Sequence, residues 1–490
     1  MIILRTPNKP KTLVECLILL MIAAVLRVWF VGKTDLGYDE SFSLYMSLQS
    51  LPEAVRMLCQ GDNPPLWELL LHFWVKVFGI SEVAIRSLSV VFSILTIIPI
   101  YLLGEKYIHR LAGITAALSY CFSTFSIYLS HDCRVYSLVG FFAASSVLFF
   151  VSIITTPKIY KIILLTIVNL MLMYGHYLSI WIIVMEFIIA LSVKTIRQKI
   201  WKLYLFHISA LIVLYIPMFP VLFSRFFDSG INGTWIAKTT SIEALYDFLW
   251  RMCNVPVVTV LAIAILISTL IILVIRIIKK QYSFGKTTIL SLFWIIPLLT
   301  SFILSFFTGF FLDRYFYFLF PVFYLSVVAY CLFLFPKNLV FGQSLATLFT
   351  ILMMISCSPD SSTKRFSGWH SEIKPIVDML VMEKEQKDAL VILPECFDKQ
   401  FTYYLDENHE AFRTQSQPTT YYVFHDFLTQ NGYFYDYNYS NADLYEYTRV
   451  VFLHQTTTPI NGLREYLEKE ELHLESEIDT GLFVVCRFIR

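Results

Sequence analysis

Four short polar clusters interrupt an otherwise apolar chain, and each holds side chains able to move protons or bind phosphate. Gly37-Tyr38-Asp39-Glu40-Ser41 sets two carboxylates side by side just after the first apolar run. A carboxylate so placed can take the proton from an attacking hydroxyl. Ser130-His131-Asp132-Cys133-Arg134-Val135-Tyr136 gathers an imidazole, a carboxylate, a guanidinium and a phenol in one turn. A His–Asp pair can hold a substrate hydroxyl or a cation, although the Asp and the Arg could equally pair with each other. Tyr174-Gly175-His176-Tyr177 adds a second imidazole, and Asp313-Arg314-Tyr315 a second guanidinium. Arginine suits bidentate phosphate binding, although anchoring at a membrane interface is its commoner role. Each cluster alone also fits ordinary loop charge, so the elements that carry them decide their weight.

Those elements are apolar. The 490 residues are 57% hydrophobic and only 15% charged, whereas soluble domains carry about 25% charged residues. Apolar runs near 20 residues recur until about residue 357, each long enough to cross a hydrocarbon core of about 30 Å. The chain therefore reads as an α-helical polytopic membrane protein with about eleven transmembrane helices. Leu66–Phe78 lies between Pro65 and Gly79 and is too short to span. With Glu68, His72 and Lys76 four apart, it reads as an amphipathic interfacial helix.

Charge gives a direction. With eleven spans and a cytoplasmic N-terminus, the inner segments collect 16 Lys/Arg against one acid, Glu105, as cytoplasmic loops do. All four polar clusters then fall on the outer face, the first within outer loop one, residues 32–81. The expected location is the plasma membrane.

The net charge of +1 conceals two opposite parts. Residues 1–357 carry 26 Lys/Arg and 15 Asp/Glu, and residues 358–490 carry 12 and 22. We therefore divide the chain into a membrane domain, 1–357, and an acidic C-terminal domain, 358–490, outside the cytoplasm. The runs Ser371–Met382, Ala389–Leu393, Lys399–Leu405, Tyr421–Thr429, Arg449–Leu453, Leu463–Glu468 and Leu482–Ile489 alternate in character and predict a small α/β fold. Nothing in the chain resembles a basic face for nucleic acid. Cysteines show no zinc spacing; Cys396 and Cys486 each follow a β-like run, which leaves room for one disulfide.

At the polar clusters the sequence resembles the bacterial polyprenyl-phosphate-sugar-dependent glycosyltransferases of the GT-C fold. These are similar to the dolichyl-phosphate-mannose protein mannosyltransferases and the lipid A aminoarabinose transferase. The resemblance runs in order through Tyr38-Asp39-Glu40, Asn63-Pro64-Pro65-Leu66-Trp67 and the stretch from Gly79 to Ser89. It continues from Tyr128 to Leu138, then through Gly175-His176-Tyr177 and Arg314-Tyr315, covering about residues 1–335. The tail is similar only loosely, at Trp369, Val391-Ile392-Leu393-Pro394 and Phe401-Thr402-Tyr403-Tyr404-Leu405.

The resemblance implies Asp39 as catalytic base with Glu40 beside it. It implies that Asp132 and Arg134 organise the site, that Arg314 faces the lipid phosphate, and that His131, Tyr136, His176, Tyr177, Asn63 and Arg86 belong to the substrate-binding set. Two positions depart from the family pattern. Asn63 stands where His is usual and cannot transfer protons; His131 stands where Gln or Arg is more usual. Divalent metal dependence varies within the fold and stays open.

The expected activity is transfer of a hexose- or mannose-like sugar from a polyprenyl-phosphate-linked donor to an acceptor hydroxyl, by single displacement with inversion. The acceptor, whether protein, glycan or lipid, is not legible. A transporter or flippase for lipid-linked saccharides is the alternative. Transporters, however, tend to carry ionisable groups near the bilayer midplane, and here the midspan charges are few: Arg27 toward the end of the first span, and Glu186.

Overall fold

A computed structural model describes residues 9–60, 63–234, 236–239, 241–281, 285–360, 373–383, 388–393, 398–414, 423–424, 427–428, 433–434, 449–455, 465, 467, 469, 471–480 and 483–490. The chain divides into two compact units. One comprises Met1–Val31, Asp62–Trp67 and Arg86–Ser361; the other Gly32–Gly61, Glu68–Ile85 and Ser362–Arg490.

The first unit is helical. Among the described residues, six helices are long and apolar enough to cross a membrane: Glu82–Tyr107, Tyr136–Thr155, Lys194–Phe227, Pro256–Ile278, Thr287–Ser305 and Asp313–Leu334. A seventh candidate, Arg110–Cys121 with Thr124–Ser130, bends by 61°. At that break the Ser123 hydroxyl accepts from the Ser126 amide, starting a new helix. Ile159–Gly175, Tyr177–Ser192 and Leu339–Ile355 are apolar but shorter, and Lys9–Val28 precedes them all. The eleven expected runs are thus all helical, while six, or seven with the bent pair, meet the length and apolarity of a span. Lys194, Arg197, Lys199 and Lys202, expected in a loop, lie instead on the first turns of a long helix.

Packing in this unit rests on close backbone contact and buried polar ties. A Cβ on Gly104 would lie 2.3 Å from the Gly113 Cα, so only glycine allows the helices before and after His109 to meet there. Arg27, fully buried, donates to Ser93 Oγ at 2.7 Å and to the carbonyls of Cys121 and Tyr120. Asn254, at φ 61°, accepts from the Thr124 amide and donates to the carbonyls of Phe122 and Met353. Between spans, Glu186 forms a closed network: its carboxylate accepts from Ser146 Oγ at 2.5 Å and Asn169 Nδ2 at 2.7 Å. His207 completes it, 3.2 Å from Asn169 and 2.8 Å from Thr166 Oγ1.

The second unit joins the helices Tyr38–Leu48 and Leu51–Gln60 and most of Leu66–Phe78 to the C-terminal residues. Its sheet has five strands in the order β2-β1-β3-β5-β4: β1 Asp388–Leu393, β2 Tyr433–Phe434, β3 Arg449–Gln455, β4 His473–Asp479 and β5 Phe483–Ile489. β1 pairs parallel with β2 and β3, while β5 runs antiparallel to both β3 and β4. This is the expected α/β fold. β5 is buried almost throughout; β4, exposed and rich in Glu and Asp, closes one edge, where charge discourages further strand pairing. Lys399–Leu405 is helical, within Asp398–Leu405. Cys396 and Trp369 lie outside the described residues.

Candidate active site

In the first unit, the turn after the short helix Thr124–Ser130 is pinned through its backbone. Ser89 Oγ donates to the Asp132 carbonyl at 2.6 Å and the Arg134 carbonyl at 3.3 Å. Trp67 Nε1 donates to the Cys133 carbonyl at 3.0 Å. The Asn63-Pro64-Pro65-Leu66-Trp67 segment is thereby tied to the Ser130–Tyr136 turn. Asp132 and Arg134 are buried, and Tyr136 opens the next helix.

Around Tyr136 the other loops converge. Gly175 lets the His176 turn approach that helix, since a Cβ there would meet Val139 Cγ1 at 3.0 Å. The Tyr136 ring stacks on Tyr315 at 6.5 Å, and the His176 ring lies edge-on to Tyr315 at 5.2 Å. The Arg314 guanidinium carbon sits 5.7 Å from the Tyr136 ring centre, within cation–π range. His176 follows the helix Ile159–Gly175 in the turn, and its Nδ1, sealed from solvent, has no hydrogen-bond partner among the described residues. Burial first, then the positive charges of Arg134 and Arg314, push its imidazole down to about 4. It is neutral at pH 7, in a pocket of positive potential.

Asp313 does not cancel that potential alone, because its carboxylate pairs with Arg251 at 3.0 Å. Nothing in the local sequence marks Arg251 as its partner. Asp132, Arg134, Tyr136, His176 and Arg314, read from three separate stretches, thus fall in one neighbourhood, and Tyr177 follows directly in the 3₁₀ turn Tyr177–Ser179.

Two further predicted residues make backbone ties. His131 is fully buried and its Nε2–H donates to the Arg27 carbonyl at 2.7 Å. Arg86, also fully buried, donates to the Val31 carbonyl at 3.2 Å.

In the second unit, Gly37 caps the helix Tyr38–Leu48, and the two carboxylates separate in role. Glu40 is buried and its Oε2 accepts from the Gly37 amide at 2.8 Å, the return half of a capping box. Asp39 is half-buried in the first turn, where the helix N-terminus favours negative charge. Leu36, just ahead, is held on both sides of its backbone. Its N–H donates to the Tyr404 hydroxyl and its carbonyl accepts from Gln400 Nε2 at 2.5 Å.

The helix Leu66–Phe78 has the expected bounds, and the first two residues of its polar stripe turn inward. Glu68 and His72 point inward: Ser43 Oγ donates to Glu68 Oε1 at 3.1 Å, and His72 Nδ1 donates to the Ser47 carbonyl. Phe73, Val77 and Phe78 are exposed instead. Among the described residues, no group of three or more His, Cys, Asp or Glu side chains is placed to hold a metal ion.

Residues 62–224 match the family model described as dolichyl-phosphate-mannose-protein mannosyltransferase. No curated protein matches the sequence. Among solved structures, the chain is similar to ArnT from Cupriavidus metallidurans in the apo state: 10% identity, 98% of each chain covered, TM-score 0.60. ArnT bound to undecaprenyl phosphate gives 0.59 at the same identity and coverage. AglB, the archaeal oligosaccharyltransferase from Archaeoglobus fulgidus, in complex with an inhibitory peptide and a dolichol-phosphate, gives 0.53 at 12% identity, with 91% of this chain and 69% of that one covered. The chain therefore has the GT-C fold of these glycosyltransferases, and over residues 62–224 it matches the mannosyltransferase family model.

Proposed function

We propose that this protein is an integral-membrane glycosyltransferase that moves a hexose- or mannose-like sugar from a polyprenyl-phosphate-linked donor to an acceptor hydroxyl. The reaction runs on the outer face of the plasma membrane, with the N-terminus cytoplasmic and the acidic C-terminal domain outside. Asp39 takes the acceptor proton, the hydroxyl oxygen attacks the anomeric carbon, and the sugar–phosphate bond breaks with inversion. Arg314 and Arg134 hold the negative charge that develops on the departing lipid phosphate.

The observation that carries this reading is the meeting of Arg134 and Arg314 with Tyr136 and Tyr315 around a neutral His176. Two guanidiniums and an uncharged imidazole suit a phosphate that must be bound and then released. The similarity to a protein bound to undecaprenyl phosphate and to one holding a dolichol-phosphate supports a lipid-linked donor.

The test is release of polyprenyl phosphate from a panel of lipid-linked sugars by the purified full chain. Wild type releases it. Asp39→Asn slows release by at least about 100-fold, the scale of a lost general base. Glu40→Gln keeps both fold and transfer, because Gln also completes the capping box. Arg314→Ala weakens donor binding about tenfold or more. Near-wild-type transfer by Asp39→Asn would remove Asp39 from the base role, and unchanged donor affinity in Arg314→Ala would remove Arg314 from the phosphate. Binding of a lipid-linked saccharide without release from any donor would favour a transporter.

A further inference from the structure

We propose a second lipid site, separate from the cluster around His176: a groove between the helices Ile180–Ser192 and Lys194–Tyr215 that takes an anionic glycerophospholipid. The groove has a volume of about 510 Å³. One wall is formed by Phe187 and Leu191, the other by Arg197, Trp201, Tyr204 and Leu205. The residues from Arg197 to Leu205 recur at helical spacing and so share one face of their helix, making a continuous trough along it.

The trough is polar at its mouth and apolar along its length, matching a phospholipid in order. At the mouth, Arg197 donates to the Leu191 carbonyl at 2.9 Å, which fixes the guanidinium across the entrance. Lys194 and Lys202 add positive charge on the same turns, while Lys199 lies on the other side of the helix with its Nζ on the Thr155 carbonyl at 2.5 Å. Charge asymmetry assigns this end to the cytoplasmic side, where basic pockets between helices recognise anionic headgroups. Phe187, Leu191, Trp201 and Leu205, all exposed, offer the apolar surface that an acyl chain covers.

Tyr204 floors the groove. Its side chain is almost wholly buried, it lines the groove, and its hydroxyl has no hydrogen-bond partner among the described residues. It lies two turns, about 10 Å of helix axis, below Arg197. A phosphate held by Arg197 places the acyl chains of the same lipid along the apolar walls below it. A purely annular lipid would not need Arg197.

Trp201 reports occupancy. The full chain is placed in phosphatidylcholine nanodiscs doped with phosphatidylglycerol or phosphatidylcholine carrying brominated acyl chains, and Trp201 quenching is isolated by subtracting Trp201→Phe. Half-maximal quenching is expected at about fivefold lower mole fraction of the anionic lipid, the worth of one arginine contact near a membrane surface. Arg197→Ala abolishes the preference, whereas Tyr204→Phe, which leaves the charge at the mouth intact, keeps it. Soluble glycerol phosphate does not compete, because it has no chains to seat. Equal quenching by the two lipids, or a preference that survives Arg197→Ala, overturns the proposal. So does equal displacement by polyprenyl phosphate, which would give the groove to the donor's carrier.

Discussion

The Tyr404 hydroxyl stands 2.6 Å from the Leu36 amide nitrogen and 2.7 Å from Glu82 Oε1. It accepts from the first and donates to the second. Burial, then the Glu82 carboxylate, hold the phenol far above its ordinary range, so it stays protonated and both bonds persist. With Gln400 on the Leu36 carbonyl and Tyr403 donating to the Ile80 carbonyl at 3.0 Å, the C-terminal helix Asp398–Leu405 fixes the backbone just ahead of Asp39.

Tyr404→Phe should therefore lower kcat while leaving donor affinity intact. The bond to Glu82 is lost, the Leu36 amide loses its acceptor, and the Asp39 turn loosens. A small misplacement of a reacting group costs up to about 100-fold, and a loss of 10-fold or more is expected here. Steady-state transfer alongside lipid phosphate binding checks it; a matching loss of donor binding would contradict a positioning role.

His176 predicts a pH effect on stability. Its imidazole is pushed down to about 4 in the folded chain, chiefly by burial, against about 6.5 when solvated. Between those values the unfolded chain binds a proton that the folded chain refuses, so stability falls as pH falls. From pH 7 to pH 5 the wild-type melting temperature should drop more than that of His176→Gln. Parallel curves for the two proteins would show that His176 titrates normally.

The buried network around Glu186 predicts an ordering of stabilities. Removing one member strands the rest, and a broken buried polar set costs about 3 kcal/mol or more. Glu186→Ala should therefore melt lower than a triple replacement of Glu186, Asn169 and His207 by apolar residues of similar size. Thr166 and Ser146 survive the triple change, since Thr166 Oγ1 also donates to the Ile162 carbonyl at 2.8 Å and Ser146 can turn to its own helix. Thermal melts of the purified proteins in detergent decide it; a triple variant as weak as Glu186→Ala would refute the ordering.

The helices were legible because the membrane demands long apolar runs, and Pro65 and Gly79 marked both ends of Leu66–Phe78. Which face of that helix is buried was not legible. Period four identifies a polar stripe, but in a membrane chain such a stripe can turn inward to Ser43 and Ser47 while the apolar side faces lipid. β4 escaped notice because an exposed edge strand carries no apolar alternation: His473–Asp479 reads as polar loop. The clustering of Arg134, His176 and Arg314 followed from ordered motifs. The anchoring of His131 to Arg27 and of Asp313 to Arg251 depends on residues far away in the chain, which local pattern does not connect. Asn254, at positive φ with its side chain tied to Thr124, Phe122 and Met353, gave no signal at all.

The two guanidiniums beside His176 carry a kinetic consequence under the proposed chemistry. They contact the phosphate, which stays with the carrier after the sugar has left. Contacts that recruit the donor therefore also retain the spent lipid, and they speed the chemical step only through charge that grows as the bond breaks. Turnover would then be paced by escape of the carrier rather than by bond cleavage, and accumulating lipid phosphate would act as a competitive brake on the enzyme that makes it.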